Sequence, residues 1–256
     1  MESGDLMEVK QYLQRIHATL EEPTVQYLST LQHLHMTQVP FENLDVIRNV
    51  PIYLNLERIY KKIIKNNRGG YCYEVNGLFH WLLKNIGFNV HFVAATVMRP
   101  NGEFAKKNTH VAIIATLDQP YLVDVGFGNS QLQPVTLDGR IYEDVSGIYK
   151  VEQVSEDFYD LKRKDNSTWR TLYRFTLQAR EFVDFHEGVV FNQVSNHSTF
   201  THTDLVTIAT DTGRITLQDH TLTTTTNGNK TEVLLSPVEK ERVLEDTFGI
   251  RLTNDS

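Results

Sequence analysis

The apolar residues of this chain change their period once, at Gly87, and that change constrains the fold more than any other feature. Before it, Val75, Leu78, Phe79, Leu82, Leu83 and Ile86 recur at i, i+3, i+4, i+7, i+8 and i+11, which is one face of a helix. Gly87 follows in the position of a C-terminal glycine cap. After it, "NVHFVAATVM", "HVAIIATL" and "PYLVDVGFG" are short, rich in β-branched residues and bounded by Gly, Pro and Asn, the pattern of strands. Upstream, "VKQYLQRI" and "TVQYLSTLQHLHMTQV" are helical, with Leu28, Leu31 and Leu34 at helical intervals and Pro23 near a helix start. Downstream, "GIYKVEQV", "FYDLKRK" and "RTLYRFTLQ" extend the sheet character to about residue 178, and a helix is expected around "REFVDFHEGVVFNQ". Hairpins are predicted at "TDTGR" and at "TNGNK", where Asn227 and Gly228 form a strong turn signal. A last helix begins in the capping box Ser236, Pro237, Val238, Glu239. Helices, then strands, then a mixed end predict an α+β fold.

Composition narrows the function. With 256 residues the chain makes one large domain or two to three small ones. A net charge of −7 leaves no basic excess to neutralise phosphates, so nucleic acid is not an expected partner. The N-terminus lacks the pattern of a signal peptide, and no apolar run has the length of a membrane span. A cytoplasmic protein with no membrane partner is expected. Its single cysteine, Cys72, excludes an intramolecular disulfide and a Cys-rich zinc site, and a reduced thiol follows from the compartment.

Cys72 stands at the start of the periodic helix, just after Gly69 and Gly70. Free N–H groups and the positive end of the helix dipole would favour a thiolate there, the form that attacks carbonyl carbon. Nearby backbone N–H groups could also serve an oxyanion. The alternative is a small buried hydrophobe, the commonest fate of a lone cysteine. A thiolate nucleophile needs a base and the base an orienting acceptor. Of the ten histidines, His33 and His35 lie on different faces of one helix, and His80 lies one residue past the apolar stripe of its own. His110 instead opens the strand "THVAIIATL" directly after a polar loop. The following strand carries Asp124 between two valines, where a carboxylate requires a hydrogen-bond partner. If the two strands are neighbours, His110 and Asp124 come close; otherwise Asp124 is a sheet-end carboxylate bonded to backbone.

In order, "RGGYC", "THVAI" and "LVDVGFG", with "VPFENLDV" upstream and "FGI" near the end, resemble the arylamine N-acetyltransferases over essentially the whole chain. The length is closer to the compact prokaryotic members. The resemblance implies an N-terminal helical bundle over residues 1–87, a central β-barrel over 88–195 and a C-terminal α/β lid over 196–256, with a papain- and transglutaminase-like catalytic core. It implies Cys72 as the acyl-accepting nucleophile, His110 as its base and Asp124 as the orienting acid, with Arg68 and Glu42 as a structural ion pair. Phe41, Val97, Thr109, Phe127 and Phe200 match positions lining the acceptor cleft. Lys106, Lys107, Gly126, Gly128, Phe191, His197 and Ser198 match positions beside coenzyme A. The implied reaction moves an acetyl group from acetyl-CoA to an arylamine or hydrazine through an acetyl-cysteine, the chemistry of xenobiotic metabolism, without a metal. A thiol hydrolase or a transglutaminase-like enzyme would use the same Cys, His, Asp order. A binding module with a dead triad is disfavoured because all three positions are intact. A histidine metal site lacks the required spacing, since His186 and Glu187 are not followed by a second histidine.

Overall fold

The computed structural model describes residues 7–252. Helices come first: α1 (Val9–Arg15), α2 (Val25–Gln38), α3 (Leu44–Ile47), α4 (Leu56–Tyr60), which continues as a π turn over Lys61–Lys65, and α5 (Cys72–Asn85). Caps set several of the starts. Thr24 Oγ1 accepts from the Tyr27 N–H at 3.1 Å, and Asn55 Oδ1 accepts from the Arg58 N–H at 2.9 Å. At α5 the Glu74 carboxylate reaches back to the Tyr71 N–H at 3.2 Å. The short strand β1 (Phe41–Glu42) lies between α2 and α3.

Strands β2 (Asn89–Val97), β3 (His110–Thr116), β4 (Pro120–Val123), β5 (Val135–Thr136), β6 (Tyr142–Asp144), β7 (Gly147–Gln153), β8 (Tyr159–Asp165) and β9 (Thr168–Phe175) form one antiparallel sheet. Its order is β5-β4-β3-β2-β9-β8-β7-β6, and it curls into a nearly closed barrel. At the seam the Tyr142 hydroxyl in β6 donates to Thr136 Oγ1 in β5 at 3.0 Å. The expected helix after residue 180 is a 3-10 turn, Phe182–Phe185, running into α6 (His186–Val194). The second sheet joins β1 to β10 (Leu205–Thr210), β11 (Gly213–Gln218), β12 (Thr221–Thr226) and β13 (Asn229–Leu234), and α7 (Pro237–Asp246) is the last helix of the described residues. Both predicted hairpins and the predicted capping box are present. No helix among the described residues is long and apolar enough to cross a membrane.

The run "VAIIA" within β3 is apolar throughout because that stretch is buried on both faces. Val111, Ile113 and Ala115 pack with Phe79, Leu82 and Leu83 of α5. The alternate residues Ala112 and Ile114 join Leu122, Tyr149 and Tyr173 inside the barrel. A third cluster, Leu44, Val206, Leu217, Leu244 and Phe248, seats α7 on the second sheet.

Beneath the loop before Cys72 lies a buried ion cluster larger than the expected pair. Arg68 Nε is 2.8 Å from Glu42 Oε1 and its Nη2 is 2.7 Å from Asp45 Oδ1. Lys62 Nζ is 2.8 Å from Asp45 Oδ2 and 2.9 Å from Glu74 Oε1. Burial pushes Glu74 up from 4.5 to about 7, against the pull of Lys62 and with the push of Glu42. The folded protein therefore holds a proton at Glu74 that the unfolded chain releases, and stability from this group falls as pH rises from 4.5 to 7. Glu74→Gln removes that titration. The stability of wild type relative to Glu74→Gln, measured by urea unfolding, is expected to decline between pH 4.5 and pH 7 and to level off above; a constant difference would contradict this.

Candidate active site

Three chain segments converge on the thiol. β1 bridges to Gly70: the Glu42 N–H donates to Gly70 O at 3.0 Å, which carries Phe41 to the edge of the site. Gly69 is required there because a Cβ would stand 2.0 Å from Pro40 O. α5 begins at Cys72 as predicted, and the residue is only 2% exposed.

His110 opens β3, also as predicted, but β4 stops at Val123, so Asp124 is not a mid-strand residue. The ladder ends because the Asp124 carboxylate takes the Gly126 N–H at 2.8 Å while the Val125 N–H goes to Asn76 Oδ1 at 2.9 Å. β3 and β4 pair with Ile113 opposite Val123. Continuing that register leaves His110 and Asp124 as diagonal neighbours on one face. His110 Nε2 lies 2.7 Å from Asp124 Oδ2, and the two side chains are 3% and 0% exposed. In the neutral imidazole Nε2–H donates to the carboxylate, which leaves Nδ1 to exchange protons.

Cys72 and His110 line one cavity of about 270 Å³. Burial pushes the Cys72 thiol up, and the Asp124 charge adds to this, while backbone N–H groups of Tyr73 and Val111 at the sulfur oppose it. Burial thus outweighs the helix N-terminus that pointed to a thiolate. For Asp124, burial acts to raise the carboxyl, but the His110 charge and hydrogen bond, the Asn76 amide and the Gly126 N–H hold it below the usual carboxylate range.

Phe41, Val97, Thr109, Phe127 and Phe200 line the same cavity, as do Gly126, Phe191, His197 and Ser198. Gly126 packs on Cys72: a Cβ there would meet Cys72 Cα at 2.8 Å. The Phe127 ring meets the His110 ring edge-on, with centroids 5.4 Å apart. Three of the singled-out residues lie elsewhere. Lys106 pairs with Glu187 at 2.7 Å, Lys107 lines a neighbouring cavity with Phe104, Phe158 and Arg174, and Gly128 sits behind Phe41.

The sequence reading passed over Asn76, Tyr173 and Asn192. Asn76 Nδ2 donates to Asp124 Oδ1 at 2.9 Å and to Val111 O at 2.7 Å. Its position four residues after Cys72, on the same side of an apolar helix, was the available signal. Tyr173 packs on His110 with ring centroids 5.0 Å apart, and Asn192 Nδ2 donates to Thr109 O at 3.1 Å. Asn76→Ala strands the Val125 N–H and the Val111 carbonyl, both buried, so it is expected to destabilise the fold by about 2–4 kcal/mol. Equilibrium urea denaturation measures this.

Comparison with known proteins follows the same line. The N-acetyltransferase family profile matches residues 24–256. The arylamine N-acetyltransferase pineal gland isozyme NAT-10 of Gallus gallus is 30% identical, covering 96% of this chain and 95% of that protein. An arylamine N-acetyltransferase / N-hydroxyarylamine O-acetyltransferase of Salmonella typhimurium is 30% identical over 93% of this chain and 87% of its own. Among solved structures, the arylamine N-acetyltransferase of Bacillus cereus, described with a Cys-His-Glu catalytic triad, superposes with a TM-score of 0.90 at 28% identity, covering 96% of this chain and 100% of that one. The Salmonella typhimurium enzyme superposes at 0.91 with 28% identity, covering 97% and 93%. An apolar cavity joining a buried thiol to a carboxylate-backed imidazole has the parts of a thiol enzyme that handles acyl groups. The chain belongs to the arylamine N-acetyltransferase family.

Proposed function

We propose that this protein transfers an acetyl group from acetyl-CoA to the nitrogen of an arylamine or arylhydrazine through an acetyl thioester on Cys72. The observation that carries this reading is the buried His110–Asp124 pair, 2.7 Å apart, whose imidazole opens with Cys72 onto one cavity. In the first half-reaction the Cys72 proton passes to His110, the sulfur attacks the thioester carbonyl, and the bond from carbonyl carbon to the CoA sulfur breaks. His110 returns the proton to the departing thiolate. One thioester replaces another, so the step is close to thermoneutral. In the second, the amine nitrogen attacks the acetyl-cysteine carbonyl, His110 takes its proton, and the proton passes to the departing Cys72 thiolate.

Phe41, Val97, Phe127 and Phe200 keep water from the thioester and bed the acceptor ring. Thr109 lines the acceptor cleft with them, while Gly126, Phe191, His197 and Ser198 line the path of the acyl donor, with Lys106, Lys107 and Gly128 outside it. With this reading goes a division into helical bundle, barrel and lid at residues 87 and 195, with the core organised as in papain- and transglutaminase-like enzymes.

The test is the intact mass of the protein mixed with acetyl-CoA and no amine, followed by peptide mapping. Gain of one acetyl group on Cys72, lost on adding para-aminobenzoate as the N-acetyl product forms, is the expected result. Hydrolysis of acetyl-CoA with no acetylated amine would replace the reading with a thiol hydrolase.

A further inference from the structure

The loop between β2 and β3 is a built hairpin, and it delivers one arginine to the catalytic cavity. The Ala105 N–H donates to Val97 O at 2.8 Å, the Arg99 N–H to Glu103 O at 2.8 Å, and the Gly102 N–H to Arg99 O at 2.9 Å. Met98 and Phe104 pair across it. The backbone of Arg99 is therefore pinned at the first position of a tight turn, while its exposed side chain lines the cavity.

The charges around Arg99 are unbalanced. The cavity lining contains no Asp, no Glu and no other Lys or Arg. The carboxylate of the same turn, Glu103, is occupied by the Asn101 side-chain amide at 2.9 Å. Among the described residues Arg99 has no ion-pair or hydrogen-bond partner for its guanidinium. Two nearby cations differ: Lys106 pairs with Glu187, and Arg174 with Asp160, each at 2.7 Å. A mostly apolar cavity holding a nucleophile and a single unpaired guanidinium suits a substrate with an aromatic or acyl body and an oxyanion at one end.

We propose that Arg99 recognises an oxyanion on a substrate of the acetyl transfer, either a carboxylate on the acceptor amine or a phosphate of the acyl donor. This rests on the acetyl-transfer reading above. Because the two half-reactions are separable, each source has its own arm. In the acceptor arm, acetylated wild type and R99Q react with para-aminobenzoate and with uncharged para-aminobenzamide. In the donor arm, both proteins are acylated by acetyl-CoA and by para-nitrophenyl acetate, which carries no phosphate. A charge-assisted contact predicts that R99Q lowers the anionic-to-neutral ratio of kcat/KM in one arm by roughly ten- to hundredfold. R99K should recover part of the ratio, as a point charge lacking the two-pronged fork. The arm that responds identifies the source. Unchanged ratios in both arms, or equal losses with anionic and neutral substrates, overturn the proposal. Calorimetric titration of CoA and of para-aminobenzoate into both proteins repeats the comparison without turnover. Anion binding that weakens in R99Q while no acetyl transfer occurs would sink the acetyl-transfer reading and keep the role of Arg99.

Discussion

Cys72→Ser is expected to lower kcat for amine acetylation by roughly 10⁶-fold while leaving the fold intact. The change is small in volume, and the side chain is 2% exposed at the start of a helix whose packing residues are untouched. The chemistry does not tolerate it. Burial and the Asp124 charge already push the thiol up, and in the proposed reaction only a group as acidic as a thiol passes its proton to His110 in such a place. A serine hydroxyl, far less acidic, stays protonated. The measurement is kcat with acetyl-CoA and para-aminobenzoate, alongside a thermal melt to establish folding. Residual activity above about 1% would place the nucleophile elsewhere.

Asp124→Asn is the second large effect, with an expected fall in kcat of about 10⁴-fold. Asp124 Oδ1 already accepts from the Asn76 amide and the Gly126 N–H, at 2.9 and 2.8 Å. An asparagine must therefore keep its carbonyl oxygen on that side and turn its NH₂ toward His110. Nε2 then becomes an acceptor and Nδ1 carries the proton, so the imidazole can no longer take one from Cys72. Nitrogen NMR of labelled histidine separates the two tautomers directly. Acid stability should change as well. The folded Asp124 carboxyl lies below its ordinary 3.8, so it contributes stability that is present above 3.8 and lost as pH falls through the folded value. The variant lacks that contribution, and its stability disadvantage against wild type should shrink as the pH drops below 3.8. A wild-type tautomer with near-normal kcat would remove Asp124 from the triad.

Much of this protein was legible before folding. The stripe from Val75 to Ile86, the start of α5 at Cys72, the start of β3 at His110, both hairpins and the final capping box depend on neighbours within about ten residues, where backbone geometry and solvent rule. Less was legible where burial of charge decides the structure. Nothing local in the lysine-rich "RIYKKIIKNNR" marks one lysine from the next, yet Lys62 is buried among carboxylates contributed by β1, α3 and α5. The ion pair of Lys106 is hidden from the sequence for the same reason. Lys106 finds Glu187, which is 81 residues away and becomes a neighbour only when α6 packs beside the hairpin.

Sequence by itself determined which groups this chain could use: one thiol at a helix start, a histidine opening a strand, and a carboxylate that could not stand alone between valines. The tertiary structure decided which of them act together. The register of β3 on β4 sets His110 and Asp124 as diagonal neighbours, Asn76 locks the carboxylate, and Glu103 turns to Asn101, so that Arg99 stands over the cavity with no ion pair among the described residues. Those pairings are competitions among distant groups for the same hydrogen bonds and charges, and only packing brings the competitors within reach of one another.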